Sequence, residues 1–294
     1  MSEAAAIVTR ACPCCEASAV AFQRVMAGAT ILECTVCGSA FAAAVPDPDE
    51  LRGIYDRLYS QGGAYQAHRN EVALVAKAKA AGRLPKLDWP RRLSLRRAKP
   101  NRGDTLLEVS CGTGLFLFAA HLKGWTVTGV ELCKEAAELG AAVHLLPVFT
   151  GPVEAYPAPR EKFTAIVAWE VMEHLPKPGR FLGGVLVMLK PGGILAGSVP
   201  NYARPRYRFG DDLGPARVPP VHLNFWTPPA LRNTLARAGL RAIKIVAPRF
   251  CADLLRPVRS LDWKRIRRFP KVVLGLDTPT EMFFMARKTA GCSE

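Results

Sequence analysis

Residues 105–131, TLLEVSCGTGLFLFAAHLKGWTVTGVE, constrain the chain more than any other stretch. Thr105–Val109 is an apolar run of strand length, and Ser110–Gly114 is a turn of small residues. Leu115, Phe118, Ala119 and Leu122 then recur at helical spacing. Trp125–Val130 returns to a strand pattern and stops at an acid, Glu131. Strand, glycine turn, helix, strand and acid make one βαβ unit of the kind that holds a nucleoside-like ligand.

The order of residue types says which ligand. Gly112 and Gly114 reach backbone angles closed to other residues and let a ligand approach the main chain. The helix start beyond them offers unpaired N–H groups. Glu131, ending the second strand, can accept both hydroxyls of a ribose. Glu108, near the end of the first strand, can accept a hydrogen bond from a ligand ammonium. A dinucleotide site asks for G-x-G-x-x-G, whereas the turn here is Ser110-Cys111-Gly112-Thr113-Gly114 with an acid two residues before it. That acid would repel a pyrophosphate and suits a cationic sulfonium amino acid.

LLEVSCGTGLF resembles motif I of the class I S-adenosylmethionine-dependent methyltransferases, with Ser110 where that motif usually has glycine. Glu131 matches the family's ribose-binding acid. The resemblance implies a Rossmann-like seven-stranded α/β domain, placed at residues 103–290. It also implies a cofactor site lined by Glu108, Ser110, Cys111, Gly112, Gly114, Glu131, Val153, Glu154 and Trp169. Val153 would offer a backbone N–H to adenine, and Glu154 a side chain.

Trp169-Glu170-Val171-Met172-Glu173-His174-Leu175-Pro176 follows the fourth strand of this domain, Phe163–Trp169. It resembles the V-x-E-H-x-x-x-P signature of a branch that includes ubiquinone-biosynthesis O-methyltransferases and sugar methyltransferases. The further run H-L-N-F-W-T-P-x-x-L, starting at His222, resembles the same branch. His174 and His222 are therefore candidate general bases, since imidazole titrates near neutrality. Each can equally serve as a structural hydrogen-bonding group. Glu173 is read as orienting His174, as binding substrate hydroxyls, or as part of a cap on the following helix. The Asn/Asp-Pro-Pro-Tyr/Phe tip of base-amino methyltransferases and the Pro-Cys nucleophile of cytosine-carbon enzymes are absent after this strand.

The remaining strands are expected at Ala142–Leu146, Ile194–Val199, Leu240–Val246 and Met282–Ala286, with a helix over residues 132–141. A helix through Phe181, Leu182, Val185, Met188 and Leu189 precedes the Lys190-Pro191-Gly192-Gly193 turn. Thr227 is the expected N-cap of a helix with proline in its first turn. Residues 201–227 fall where family members carry a substrate lid. His68, His121 and His144 are treated as structural.

A second feature stands at the N-terminus. Cys12-Pro13-Cys14-Cys15 and Cys34-Thr35-Val36-Cys37 give C-x2-C twice, eighteen residues apart. Two such knuckles close a tetrahedron around zinc. The ligands are Cys12, Cys15, Cys34 and Cys37, with Cys14 competing for the place of Cys15. Four thiolates leave no open position, so the zinc is structural. Ala21–Val25 and Thr30–Glu33 supply the two strands of a ribbon occupying residues 1–46. Residues 47–102 form a helical connector, with Leu51, Ile54 and Leu58 on one stripe, Val72, Val75 and Ala76 on another, and Tyr55, Tyr59 and Tyr65 near the main domain.

Of the 294 residues, 49% are apolar, and no apolar run approaches the roughly 20 residues of a membrane span. MSEAAAIVTR lacks the basic start and apolar core of a signal peptide. A cytoplasmic protein is expected. The net charge is +15. It is concentrated in residues 204–271, with 16 Lys/Arg against 4 Asp, and in residues 83–102, with 8 against 1. That surface fits an anionic partner, whether a phosphorylated small molecule, RNA or a lipid head group, or it simply confers solubility. Trp263–Phe269, with cations and aromatics interleaved, suits a solvated helix face, a membrane surface or RNA phosphate.

The sequence thus points to methyl transfer from S-adenosylmethionine to a small-molecule, sugar or lipid-linked hydroxyl. The alternatives are an RNA methyltransferase that uses the ribbon and basic surface, and a non-catalytic zinc-ribbon binding protein on the same fold. Oligomeric state is left open.

Overall fold

The structure is a computed structural model. It describes residues 10–47, 49–51, 53, 54, 57, 63–81, 85, 87, 91, 94, 95, 100–144, 146–157, 160–203, 217–247 and 281–289. The expectations for Tyr55, Leu58, Tyr59 and Trp263–Phe269 lie outside the described residues, as do the basic residues of 204–216 and 248–271 and the side chains of Tyr65, His68 and His144.

Continuous apolar runs, buried on both faces, build the centre of the main sheet. Its described strands are β4 (Thr105–Val109), β5 (Thr126–Glu131), β6 (Val148–Thr150), β7 (Phe163–Trp169), β8 (Leu189–Pro200), β10 (Leu240–Val246) and β11 (Glu281–Lys288). Their order is β10-β11-β8-β7-β4-β5-β6. The pairs from β6 to β8 are parallel, and β11 enters antiparallel between β8 and β10. This is the expected seven-stranded Rossmann-like sheet. In β4, Leu106 joins a core with the buried helix α2 (Leu115–His121), while Leu107 and Val109 join the core on the other face. That two-residue period puts Glu108 on the α2 side of the sheet.

One strand falls elsewhere than expected. Helix α3 runs over Lys134–His144, and the third parallel strand is Val148–Thr150, not Ala142–Leu146. Two alanines at 141 and 142 extend a helix well, while Val-Phe-Thr after Pro147 is β-branched and aromatic. Helix α1 (Gly63–Ala80) packs on α2 and α3, burying Val75 and Ala78 while Val72 is half-buried and Ala76 exposed. Helix α4 (Pro178–Met188) packs on β8, and α5 (Pro228–Arg237) packs on β10. Thr227 caps α5 as expected, its hydroxyl accepting from the Ala230 N–H.

The N-terminal ribbon strands β1 (Val20–Met26) and β2 (Ala29–Cys34) enclose the two expected ones and pair antiparallel. A third strand, β3 (Ala40–Ala42), extends this small sheet and then pairs with β9 (Asn224–Phe225), which belongs to the HLNFWT run. The ribbon sheet is therefore completed by a strand distant in the sequence, from between β8 and β10. Both of its faces are covered. Phe41 and the four cysteines Cys12, Cys14, Cys34 and Cys37 share a core with Val171, Met172, Leu182 and Trp226. Ile31, Ala40 and Ala42 share another with Tyr202, Val218, Leu223 and Phe225. At the edge, Gly179 donates its N–H to the Pro13 carbonyl, and a Cβ at Gly179 would lie 2.8 Å from the Cys14 oxygen. Only glycine allows that approach. Among the described residues, no helix is long and apolar enough to cross a membrane.

Candidate active site and cysteine cluster

The carboxyl ends of β4, β5 and β7 meet where strand order reverses, the position at which open α/β sheets bind ligands. The turn after β4 is built from left-handed residues: Ser110 at φ 53°, Gly112 at 54° and Gly114 at 75°. Ser110 thus takes the conformation for which glycine is usual, at a cost of about 1 kcal/mol. Glu131 closes the turn from β5. One of its oxygens accepts the Gly112 N–H at 2.7 Å and the other the Cys133 N–H at 2.8 Å. Cys111 is buried beneath, its N–H bonded to the Val130 carbonyl. Burial, Glu108 and Glu131 push its thiol far above its ordinary range.

Glu108 is 3% exposed, and its Oε2 has no hydrogen-bond partner. Burial raises its carboxyl to about 8, with Glu71 and Glu131 adding to the rise and Arg91 opposing it. An orphaned buried carboxylate oxygen is costly alone and fits a ligand ammonium. Trp169 ends β7, stacked edge-on to Phe116 at 5.5 Å, with its indole N–H buried and unpaired. The Arg91 guanidinium lies over the Trp169 ring at 6.0 Å. Val153 is half-buried in a 3-10 turn after β6, and Glu154 beside it is exposed.

Two residues here escape the sequence reading. Glu71 of α1 accepts the Thr113 hydroxyl at 2.9 Å, tying the helix to the glycine turn. Arg91 faces Glu108 and Trp169. Both come from the segment before the sheet, where only an acid on a helix or a basic run marks them.

Glu173, His174 and His222 are brought together. Glu173 and His174 sit in a 3-10 turn (Met172–His174) just past β7, and His222 precedes β9. The two imidazoles meet edge-to-face at 4.7 Å and 86°. His174 Nδ1 lies 3.0 Å from the Val221 carbonyl, which can only accept, so Nδ1 carries the proton. Burial lowers the pKa of His174, and burial with His174 and Arg217 nearby lowers His222 to about 3. Glu173 is fully buried, its carboxyl facing that of Glu170. Burial and then Glu170 hold its proton on well above the carboxylate range. Glu170, at φ 54°, rises to about 7 through burial and Glu281. It is a third residue that the sequence reading passed over, though an acid at a strand tip three residues before Glu-His is a visible signal.

The four expected thiols converge as well. Their sulfurs all lie within 4.8 Å of one another, with Cys12–Cys37 at 3.7 Å and Cys15–Cys34 at 3.6 Å. Sulfurs about 2.3 Å from a tetrahedral zinc would be about 3.8 Å apart, so the cluster fits that ion. Cys14 is buried beside the quartet, against Cys12. The thiols share protons: Cys14 and Cys37 drive Cys12 down, and Cys12 drives Cys37 up. The Arg10 guanidinium, over the Phe41 ring at 5.2 Å, stands beside Cys12 and Cys14 and would offset thiolate charge.

Residues 79–245 match the family described as methyltransferase domain, and the chain belongs to that family. Its fold is that of the class I S-adenosylmethionine-dependent methyltransferases. The chain is 34% identical over 107 residues to the ubiquinone biosynthesis O-methyltransferase of Paramagnetospirillum magneticum, which is 35% of this chain and 43% of that one. It is 30% identical over 142 residues to that of Caulobacter vibrioides, or 46% and 53%. The chain thus spans about half the length of the curated relatives it matches. A crystal structure of an S-adenosylmethionine-dependent methyltransferase from Archaeoglobus fulgidus superposes with a TM-score of 0.52 at 17% identity, over 81% of this chain and 99% of that one. This last likeness is one of fold.

Proposed function

We propose that the chain transfers a methyl group from S-adenosylmethionine to a hydroxyl of a small-molecule, sugar or lipid-linked acceptor. The observation that carries the cofactor reading is the orphaned Oε2 of buried Glu108 beside the Glu131-closed glycine turn. Glu108 would receive the cofactor ammonium, Glu131 the ribose hydroxyls, and the backbone of Ser110, Cys111, Gly112 and Gly114 would pass along it. The Val153 N–H would meet adenine, with Glu154 at its outer edge, and Trp169 would wall the methyl end. The cofactor supplies an electrophilic methyl on a sulfonium. His174 and His222, kept neutral by burial, are the groups suited to take the hydroxyl proton, with the Glu173 carboxyl buried beside them. The burial of Glu173 and His222 favours a small acceptor over a polymer. A structural zinc held by Cys12, Cys15, Cys34 and Cys37 completes the reading.

The test uses methyl-labelled S-adenosylmethionine with two acceptor pools, a small-molecule extract and total cellular RNA. Label in extract hydroxyls supports the reading. Label in RNA, with activity falling steeply as salt rises, replaces it with the RNA enzyme. Cofactor binding without transfer to either pool favours the non-catalytic alternative.

A further inference from the structure

The two knuckles of the cysteine cluster rest on different supports of the candidate active site. The first, Cys12–Cys15, meets the start of α4, just after the turn that carries His174. Gly179 of α4 donates its N–H to the Pro13 carbonyl at 3.0 Å. A Cβ at 179 would stand 3.0 Å from that oxygen and 2.8 Å from the Cys14 oxygen, so knuckle and helix are in direct backbone contact. The second knuckle, Cys34–Cys37, meets the segment that follows His222. The Cys37 carbonyl accepts from Asn233 Nδ2 of α5 at 3.4 Å. Strand β3, shortly after Cys37, pairs with β9, and the Ala42 N–H reaches the Leu223 carbonyl at 2.9 Å.

Side-chain packing divides in the same way. The buried cysteines and Phe41 share a core with Val171 and Met172, which lead into His174, and with Trp226 and Leu231, on the His222 side. Both faces of the ribbon sheet are covered by this chain, so its packing serves the domain behind it. A metal held by four thiolates joins Cys12 and Cys15 of one knuckle to Cys34 and Cys37 of the other. One ion therefore ties together the outer supports of two imidazoles whose rings meet at 4.7 Å.

We propose that the cysteine ribbon is a positioning device for methyl transfer: its metal-joined knuckles set the distance and angle between His174 and His222, with Gly179 and Asn233 as the positioning residues that carry the knuckles' placement to them. The consequence for catalysis rests on the hydroxyl-acceptor reading; the geometric effect does not. A hydroxyl proton passes only to a nitrogen within hydrogen-bond reach, and a misplacement of about 1 Å can cost about a hundred-fold in rate. The cofactor turn is closed by its own neighbours, Glu131 of β5 and Glu71 of α1. Loosening the ribbon therefore acts on turnover and on the imidazoles while cofactor affinity stays.

The experiment compares full-length wild type, Gly179→Ala and Gly184→Ala. Alanine at 179 drives its Cβ into the Pro13 and Cys14 carbonyls and leaves the four thiols intact, whereas a Cβ at 184, on the same helix, meets nothing within 4 Å. Each protein is measured for zinc content, S-adenosylmethionine affinity, turnover of methyl-labelled cofactor with the small-molecule extract, and the nitrogen-15 resonances of His174 and His222. Gly179→Ala is expected to keep its zinc and its cofactor affinity, to shift both imidazole resonances, and to lose at least about ten-fold in kcat. Gly184→Ala is expected to match wild type. Chelating zinc from wild type should reproduce the shifts, and restoring Zn2+ should reverse them. If Gly179→Ala does not fold, Asn233→Ala, which cuts the side-chain bond to Cys37, takes its place. Wild-type resonances in the variant or in the chelated chain overturn the proposal, as do equal shifts in Gly184→Ala or a wild type that takes up no zinc. Shifts as expected in a wild type that labels no acceptor would instead sink the methyltransferase reading and leave the positioning role standing.

Discussion

The backbone N–H of Leu223 donates to the carbonyl of Glu173 at 2.7 Å, and the carbonyl of Leu223 accepts from the N–H of Ala42 at 2.9 Å. One residue therefore links the turn after β7 to the third strand of the cysteine ribbon. The ribbon is part of the frame around Glu173, His174 and His222, and those side chains are held by segments far apart in the sequence.

Asn224 is the side chain that fixes this frame. It is 1% exposed, and its Nδ2 reaches the carbonyls of Met172, Glu173 and Leu175. Asn224→Ala leaves the Leu175 carbonyl without a donor, while those of Glu173 and Met172 keep the Leu223 and Leu175 N–H groups, and should cost about 1–3 kcal/mol. Urea unfolding of the variant measures it, and a loss under about 0.5 kcal/mol would show the carbonyls find other partners. Asn224→Asp should be worse at neutral pH, because a carboxylate cannot donate.

Removing metal from the cysteine cluster tests the ribbon's role. With four thiols no longer held together, β3 should loosen from β9, since that junction rests on two paired positions and the Ala42–Leu223 bond. Hydrogen exchange should accelerate at residues 40–42 and 221–226 on chelation, while β4 and β5 stay protected. Unchanged exchange at 221–226 would mean that apolar packing alone holds the junction.

What is legible in the sequence follows from range. The glycine turn, the acid ending β5 and the paired cysteines are local patterns, each specified within a few residues, and the structure keeps them in place. The junction of Ala40 with Phe225 has no local signature, because its bonds are backbone ones between residues far apart in the sequence. Glu71 is hidden for a related reason: it is one acid on a helix until the fold lays it on Thr113. The misplaced third strand reflects a contest that short apolar runs leave open, where alanine pairs continue a helix that the eye ends early.

Glu108 should make the stability of the ligand-free protein pH-sensitive. Its carboxyl titrates at about 8 in the folded chain against 4.5 in its ordinary state, raised first by burial. The folded state then binds more protons between those values, so this group's contribution to stability is full below 4.5 and declines as pH rises toward 8. The total is on the order of a few kcal/mol. Glu108→Gln should remove that decline, so the variant gains on wild type between pH 5 and 8 in denaturant titrations. The same change should weaken S-adenosylmethionine by at least ten-fold in calorimetry. Parallel pH profiles for the two proteins would show that the carboxyl is solvated.

Ser110 offers a change in the opposite direction. At φ 53° it pays a left-handed penalty that glycine does not, of about 1 kcal/mol, offset in part by the greater freedom glycine gains when unfolded. Its side chain is exposed, so little packing is lost with it. Ser110→Gly should therefore raise stability by up to about 0.5 kcal/mol and leave cofactor affinity within a factor of about two, because the N–H groups of the turn keep their direction. Ser110→Val should do the reverse, since a β-branched side chain tolerates this conformation least, and should lose about 1–2 kcal/mol. Thermal melts of the three proteins with and without S-adenosylmethionine separate the two effects. If glycine destabilises the turn, the serine hydroxyl makes a contact worth more than the backbone strain.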